Sequence, residues 1–312
     1  MQLITALEPL ESWARVHQPD APPVRVALVQ HRWLADPAVM REQLDNGIAM
    51  AADAGARVVF LPELTLSRYP ADRRPEGDAA DLAEDAANGP TVTFAREAAA
   101  TYGIHVHASL FERADAGDGL GYNTAVMVAP DGRLVGRTRK LHIPVTEGYH
   151  ENAYFRPGPP DAAYPVVRLA EPELSVGMPT CWDQWFPEVA RLYALGGAQL
   201  LAYPTAIGSE PDHPNLDSEP MWRQVIIGHA IANGLFMVVP NRYGDEGRLT
   251  FYGSSFICDP YGRVLAQAPR EAGAVLVADL DLAQRRDWLD LFPFLANRRP
   301  ETYGGLTEPL TP

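Results

Sequence analysis

Apolar and polar positions alternate between two periods along this chain. Val24-Arg-Val-Ala-Leu-Val-Gln30 is a β-branched apolar run of strand length, and residues 35–54 carry Ala, Met, Leu and charges at helical spacing up to Gly55, where a helix would stop. Ala56-Arg-Val-Val-Phe-Leu61 reads as a second buried strand ending at Pro62. A helix over Val92–Tyr102, closed by Gly103, and a strand over Ile104–Leu110 follow. Buried strands alternating with helices predict an α/β arrangement rather than a stack of hairpins.

The pattern also repeats. Gly55-Ala56-x-Val-Val-Phe-Leu-Pro62 is echoed by Gly197-Ala198-x-Leu-Leu-Ala-Tyr-Pro204, and Ala125–Val135 by Ser255–Leu265, both of the latter reading strand, turn, strand. The offsets, 204 − 62 = 142 and 262 − 132 = 130, describe a half-chain duplication, not a short solenoid repeat. Two similar sheets packed face to face with helices outside, in one four-layer domain, are expected. Residues 1–23 end in Asp20-Ala-Pro-Pro23 and read as an N-terminal extension, residues 24–285 as the domain, and residues 286–312 as a C-terminal tail.

Composition narrows the class. Of 312 residues, 46% are apolar and 21% charged, enough apolar material for a sizeable core. Lys and Arg number 26 against 40 Asp and Glu, a net charge of −14, which argues against nucleic acid and anionic membrane as partners. Only Cys181 and Cys258 occur, no apolar run approaches the about 18 residues of a membrane span, and Glu8 and Glu11 interrupt the start of the chain. A soluble, cytoplasmic protein is expected.

Candidate chemistry concentrates in Gly177-Met-Pro-Thr-Cys181-Trp-Asp-Gln-Trp-Phe-Pro-Glu188. A strand ends before it and Pro187-Glu188 opens a helix carrying Val189, Leu192 and Tyr193, so Cys181 falls on a turn where backbone N–H groups would stabilise a thiolate. Cys258, inside the run Ser255-Phe-Ile-Cys, reads as a buried apolar residue. His105 and His107 share a strand face but lack a third ligand, so no metal is expected, and His229 reads as a hydrogen-bonded core residue. Glu63, directly after a buried strand and Pro62, and Lys140, closing the first strand-turn-strand unit, are the charged candidates at strand ends.

Leu61-Pro-Glu63, Arg139-Lys140-x-His142 and Cys181-Trp-Asp-Gln-Trp-Phe-Pro-Glu188 together resemble the carbon–nitrogen hydrolase (nitrilase) superfamily, over about Val24–Asp281. The resemblance implies a duplicated α-β-β-α sandwich and a cofactor-free, metal-free hydrolase. It implies Glu63 as general base, Lys140 and the Trp182 N–H as oxyanion donors, Cys181 as nucleophile, and Glu151 as a second glutamate near the attacking water. Tyr203-Pro-Thr-Ala-Ile-Gly-Ser-Glu-Pro211, His229-Ala-x-Ala-Asn-Gly234 and Asn241-Arg-Tyr-Gly244 look most like the N-carbamoylputrescine amidohydrolases of polyamine synthesis. From that likeness, Tyr69, Trp182 and Thr205 would line the pocket and Glu210 would meet a distal ammonium. Another N-carbamoyl compound or an aliphatic amide is the alternative substrate; nitrile hydrolysis and a non-catalytic binding role rank below it. The family further implies a homo-oligomer, a dimer or a multiple of dimers, built through the helix after Cys181. Pro179-Thr180 and Val145–Gly148 depart from the family pattern near the pocket.

Overall fold

The computed structural model describes residues 1–310. The first half runs β1 (Gln2–Ala6), β2 (Val24–Gln30), α1 (Pro37–Asp53), β3 (Val58–Phe60), α2 (Pro90–Tyr102), β4 (His105–Glu112), β5 (Tyr122–Val128) and β6 (Leu134–Arg139). A short pair, β7 (Val145–Thr146) and β8 (Tyr149–His150), leads to the second half. There β9 (Val166–Leu169), β10 (Leu174–Gly177), α3 (Pro187–Leu195), β11 (Leu200–Ala202), α4 (Glu219–Asn233) and β12 (Phe236–Val239) follow. The hairpin β13 (Tyr243–Asp245) and β14 (Thr250–Tyr252) comes next, and β15 (Phe256–Cys258), β16 (Val264–Gln267), β17 (Ala274–Leu280) and α5 (Ala283–Leu291) complete the strands and α-helices among the described residues.

Helices start where proline is tolerated and stop where glycine turns the chain. The Asp36 side chain caps α1 by accepting from Ala38 N at 2.8 Å, and Pro37 opens the helix. Pro90 opens α2 two residues earlier than the periodicity indicates, because a proline at the first turn withdraws only an N–H that has no helical partner. Gly103 and Gly234, both at positive φ, close α2 and α4.

The strands form a seven-stranded sheet, ordered β1-β17-β2-β3-β4-β5-β6, and a six-stranded sheet, ordered β16-β15-β12-β11-β10-β9. Within each, one series repeats: parallel, parallel, antiparallel, antiparallel, through β2-β3-β4-β5-β6 and through β10-β11-β12-β15-β16. The two hairpins even carry their register shift at equivalent places, Met127/Val128 and Ile257/Cys258, with 257 − 127 = 130. Both turn on a left-handed glycine, Gly132 and Gly262. The expected duplication is therefore present in hydrogen-bond topology.

One core lies between the sheets, with Val26, Leu28, Phe60 and Met127 meeting Val176, Leu200, Val238 and Ile257. A second joins the larger sheet to α1 and α2, and a third joins the smaller sheet to α3 and α4. Because both faces of each sheet are covered, strands such as β2 read as mainly apolar runs. In α3, Val189 and Tyr193 enter the core, whereas Leu192 and Leu195 stay exposed.

The chain ends are more integrated than the pattern of residues 1–23 and 286–312 indicates. β1 extends the larger sheet by pairing in parallel with β17, and α5 runs across residues 285 and 286. Strand β1 is short and half exposed, so it leaves no buried run to recognise. Beyond it, Ser12 donates to Asp287 Oδ2 at 2.8 Å, Arg15 pairs with Asp287 at 3.0 Å and with Asp281, and Trp13 packs on Tyr261. Deleting residues 1–16 uncovers the β17 edge and is expected to lower the thermal midpoint by about 5 °C or more. Calorimetry showing an unchanged midpoint would contradict this account.

Candidate active site

Three strand ends converge. Glu63 follows β3 and Pro62, Lys140 follows β6, and Cys181 lies beyond β10. All three side chains are buried, Lys140 and Glu63 completely so. Lys140 Nζ donates to Glu63 Oε1 at 3.1 Å and to Glu151 Oε1 and Oε2 at 2.9 and 2.7 Å. Tyr69 OH donates to Glu151 Oε1 at 2.8 Å. Glu63 is further held by Asn123 Nδ2, donating to Oε1 at 2.7 Å, and by the Ala206 N–H, donating to Oε2 at 2.9 Å.

The local backbone aims these groups. Cys181 has φ of +40°, sparsely populated for a residue with a β-carbon, and opens a five-residue 3-10 turn ahead of α3. Its N–H donates to Pro204 O at 3.0 Å, tying the turn to the end of β11. Asp183 fixes the same turn from within: Oδ2 accepts from Thr180 N at 3.1 Å, and Oδ1 accepts from His142 N at 3.0 Å and lies 2.7 Å from His142 Nδ1. The His142 ring stacks on Phe186 at 3.7 Å. The segment carrying Lys140 and the turn carrying Cys181 are thus tied to each other through Asp183.

Electrostatics sets the resting protonation states. Burial pushes the Cys181 thiol well above its ordinary value, the Glu63 charge adds to this, and Lys140 opposes it. The thiolate expected from the turn alone is therefore not the resting form, because desolvation outweighs the backbone donors. Burial by itself would lower the Lys140 value, but Glu151 and Glu63 reverse the sign and keep the ammonium charged. Burial raises Glu151 to about 7, with Lys140 opposing and Glu63 reinforcing.

Other sequence candidates lie farther out. Trp182 is half buried against Trp185. The Thr205 hydroxyl donates inward to Tyr203 O at 2.8 Å. Glu210 is half buried near Tyr149, whose hydroxyl donates to Ser209 O at 3.1 Å and accepts from Gly208 N at 3.2 Å. Burial raises the Glu210 value and His213 opposes it. His107 packs on Phe60 in the core, and the His229 Nε2 lies 3.0 Å from Gln184 O. Among the described residues, no group of three or more His, Cys, Asp or Glu is arranged to hold a metal ion, and no helix is long and apolar enough to cross a membrane.

Residue-by-residue reading missed Asn123, Asp183 and Tyr149. Asp183 lies inside the Cys181–Glu188 block, and Asn123 with Thr124 forms a polar start to a strand that ends in the apolar run Ala125–Val128, the one signal that marks it.

Replacing Lys140 by Met leaves two buried carboxylates facing each other. Unfolding stability should fall by about 3–5 kcal/mol at pH 8. Without the opposing ammonium Glu151, already raised to about 7, holds its proton to still higher pH in the folded than in the unfolded chain, so the loss shrinks as pH falls toward 5. Urea unfolding at the two pH values measures this; an equal loss at both would show that the charges are not buried together.

The carbon–nitrogen hydrolase family profile matches residues 25–290. The chain is 39% identical over 285 residues to citrullinase of Francisella tularensis, covering 90% of this chain and 96% of that protein. It is 38% identical over 257 residues to N-carbamoylputrescine amidase of Arabidopsis thaliana, covering 80% and 83%. A carbon–nitrogen hydrolase from Helicobacter pylori G27 superposes with a TM-score of 0.82 at 30% identity, covering 92% of this chain and 99% of its own. With fold, profile and near full-length relatives in agreement, the chain belongs to the carbon–nitrogen hydrolase family, as an amidase-type enzyme acting on amide or ureido bonds.

Proposed function

We propose that this enzyme hydrolyses the terminal ureido group of a linear N-carbamoyl amine, N-carbamoylputrescine first, giving putrescine, carbon dioxide and ammonia. The observation that carries the chemistry is the fully buried Glu63–Lys140–Glu151 cluster, with Cys181 inside its field. Cys181 Sγ attacks the ureido carbon as Glu63 takes the thiol proton. Neutralised, Glu63 loosens its 3.1 Å hold on Lys140 Nζ, the longest of that ammonium's three contacts, and the freed N–H turns to the oxyanion beside the Trp182 N–H. One such donor is worth about 3 kcal/mol in the transition state. Glu63 returns the proton to the departing ammonia, leaving an S-(N-alkylcarbamoyl) cysteine. Water, deprotonated by the same glutamate near Glu151, cleaves it to the alkylcarbamic acid, which decomposes to carbon dioxide and the amine and restores the thiol.

The substrate reading rests on Glu210, a half-buried carboxylate beside Tyr149, whose hydroxyl also feels Cys181 and Glu63. An ammonium at the far end of the substrate is attracted there, and a carboxylate is repelled. L-Citrulline is the second reading, favoured by the similarity to a citrullinase. It carries the same ureidopropyl chain and ammonium, and differs by one carboxylate on the distal carbon.

Ammonia release from N-carbamoylputrescine, L-citrulline and N-carbamoyl-β-alanine, each with the parent enzyme and Glu210→Gln, tests the assignment. The putrescine compound should be preferred, and Glu210→Gln should raise its KM about tenfold, the scale of one partly screened charge pair. Preference for citrulline selects the second reading, and turnover of N-carbamoyl-β-alanine alone overturns both. Cys181→Ser is expected to lower kcat by at least about a thousandfold with the fold intact, as an alcohol is a far weaker nucleophile near this base. Retained turnover in that variant would remove Cys181 from the chemistry.

A further inference from the structure

Arg242 is the largest buried cation outside the cluster just described, and it touches neither Cys181 nor Lys140 by hydrogen bond. It follows Asn241 in the link between β12 and β13. Its Nη2 donates to three carbonyl oxygens of a single turn: Glu63 at 2.7 Å, Leu64 at 3.0 Å and Ser67 at 3.2 Å. Its Nη1 pairs with Glu246 Oε1 at 2.7 Å. The other oxygen of Glu246 accepts from the Tyr69 N–H at 2.9 Å, and its backbone carbonyl accepts from Arg68, which also pairs with Asp72. The Phe251 ring lies 5.4 Å from the Arg242 guanidinium carbon and 5.8 Å from the Tyr69 ring.

One ion pair therefore holds both ends of the turn over residues 63–69. At one end stands Glu63, and at the other Tyr69, whose hydroxyl fixes Glu151 and through it Lys140. The turn needs such a clamp. Leu64 sits at φ of +49°, unfavourable for a residue with a β-carbon, and three carbonyl dipoles converge on one point where they would otherwise repel. Ser109 Oγ accepts the Leu64 N–H at 3.1 Å, so donors are satisfied from one side and acceptors from the other.

We propose that the Arg242–Glu246 pair is a positioning device for the hydrolysis, setting where the Glu63 carboxylate and the Tyr69 hydroxyl stand relative to Cys181 and Lys140. This rests on the reading of Glu63 as the base. Displacements near 1 Å at a reacting group cost about a hundredfold in rate, so a pair that governs both ends of this turn acts on kcat rather than on substrate affinity. The groups facing the Glu63 carboxylate are Lys140, Asn123, the Ala206 N–H, Glu151 and Cys181. Those facing Arg242 are Glu246 and His31, and burial and the guanidinium push His31 down to about 3, so that it stays neutral.

Two charge-conserving substitutions test this. Arg242→Lys keeps the cation but replaces the two-pronged guanidinium by a point that cannot serve Glu246 and the three carbonyls together. Glu246→Asp keeps the anion but is one methylene too short to span Arg242 and Tyr69 N. Arg242→Lys should lower kcat at least about thirtyfold and Glu246→Asp about tenfold, with KM within about threefold of the parent. The iodoacetamide alkylation rate of Cys181, which needs the same proton acceptor but no substrate, should fall in both, and the acid limb of its pH profile should move.

Folded variants that keep kcat and the alkylation rate within about twofold, or that raise KM with kcat unchanged, overturn the proposal. If Arg242→Lys does not fold, Glu246→Asp decides by the same criteria. If the parent releases no ammonia from any ureido or amide substrate, the proposed function fails, while the alkylation comparison still decides what the ion pair does.

Discussion

A lysine ammonium buried between two carboxylates is the constraint around which the rest of this structure is arranged. Lys140, Glu63 and Glu151 share a space almost without solvent. Stripped of water, such a group is costly unless every lone pair and proton finds a partner. Asn123, the Ala206 N–H and the Tyr69 hydroxyl supply those partners, each from a different element of the chain. Burial raises both Glu151 and the Cys181 thiol, and the Glu63 charge adds to it. The resting site is thus a protonated nucleophile beside a base, able to react when a substrate supplies an electrophile and displaces water.

The duplicated scaffold explains how such a cluster can be held. Two sheets of the same strand series bury their inner faces on one another, and helices cover the outer faces. Backbone geometry is then rigid at the strand ends, where the loops begin. The two halves have diverged at equivalent points: after β3 the chain places Pro62-Glu63, and after β11 it places Pro204-Thr205, whose hydroxyl turns inward to Tyr203. The acid comes from one half and the thiol from the other, so the site exists only when the sheets are packed together. Asp183 binds the Lys140 segment to the Cys181 turn across that junction.

Much of the fold is legible in the chain because burial on both faces leaves a plain mark. Strand β2 reads as a mainly apolar run, broken only by Arg25 before its closing Gln30, and the hairpins around Gly132 and Gly262 read as strand, turn, strand. Strand β1 left no such mark, since it lies at a sheet edge with half of its side chains in solvent. The candidate nucleophile, base and lysine stand out as reactive groups at or just beyond strand ends. Asn123 and Asp183 are ordinary polar residues until the partners they satisfy are known, and those partners lie 60 and 41 positions away in sequence.

Sequence alone determined the layer architecture, the half-chain repeat and the kinds of reactive group available, because these follow from periodicity and from residue type. Tertiary structure decided which charges share a space and how dry that space is. A turn position suggested a thiolate at Cys181, yet desolvation, which depends on every neighbouring element at once, makes the thiol the resting form. The same holds for the arginine of Asn241-Arg242, whose three carbonyl partners lie about 175–179 residues earlier and come within reach only when the halves close on each other. Local pattern specifies what each segment can be, whereas long-range packing sets the electric field in which its side chains act.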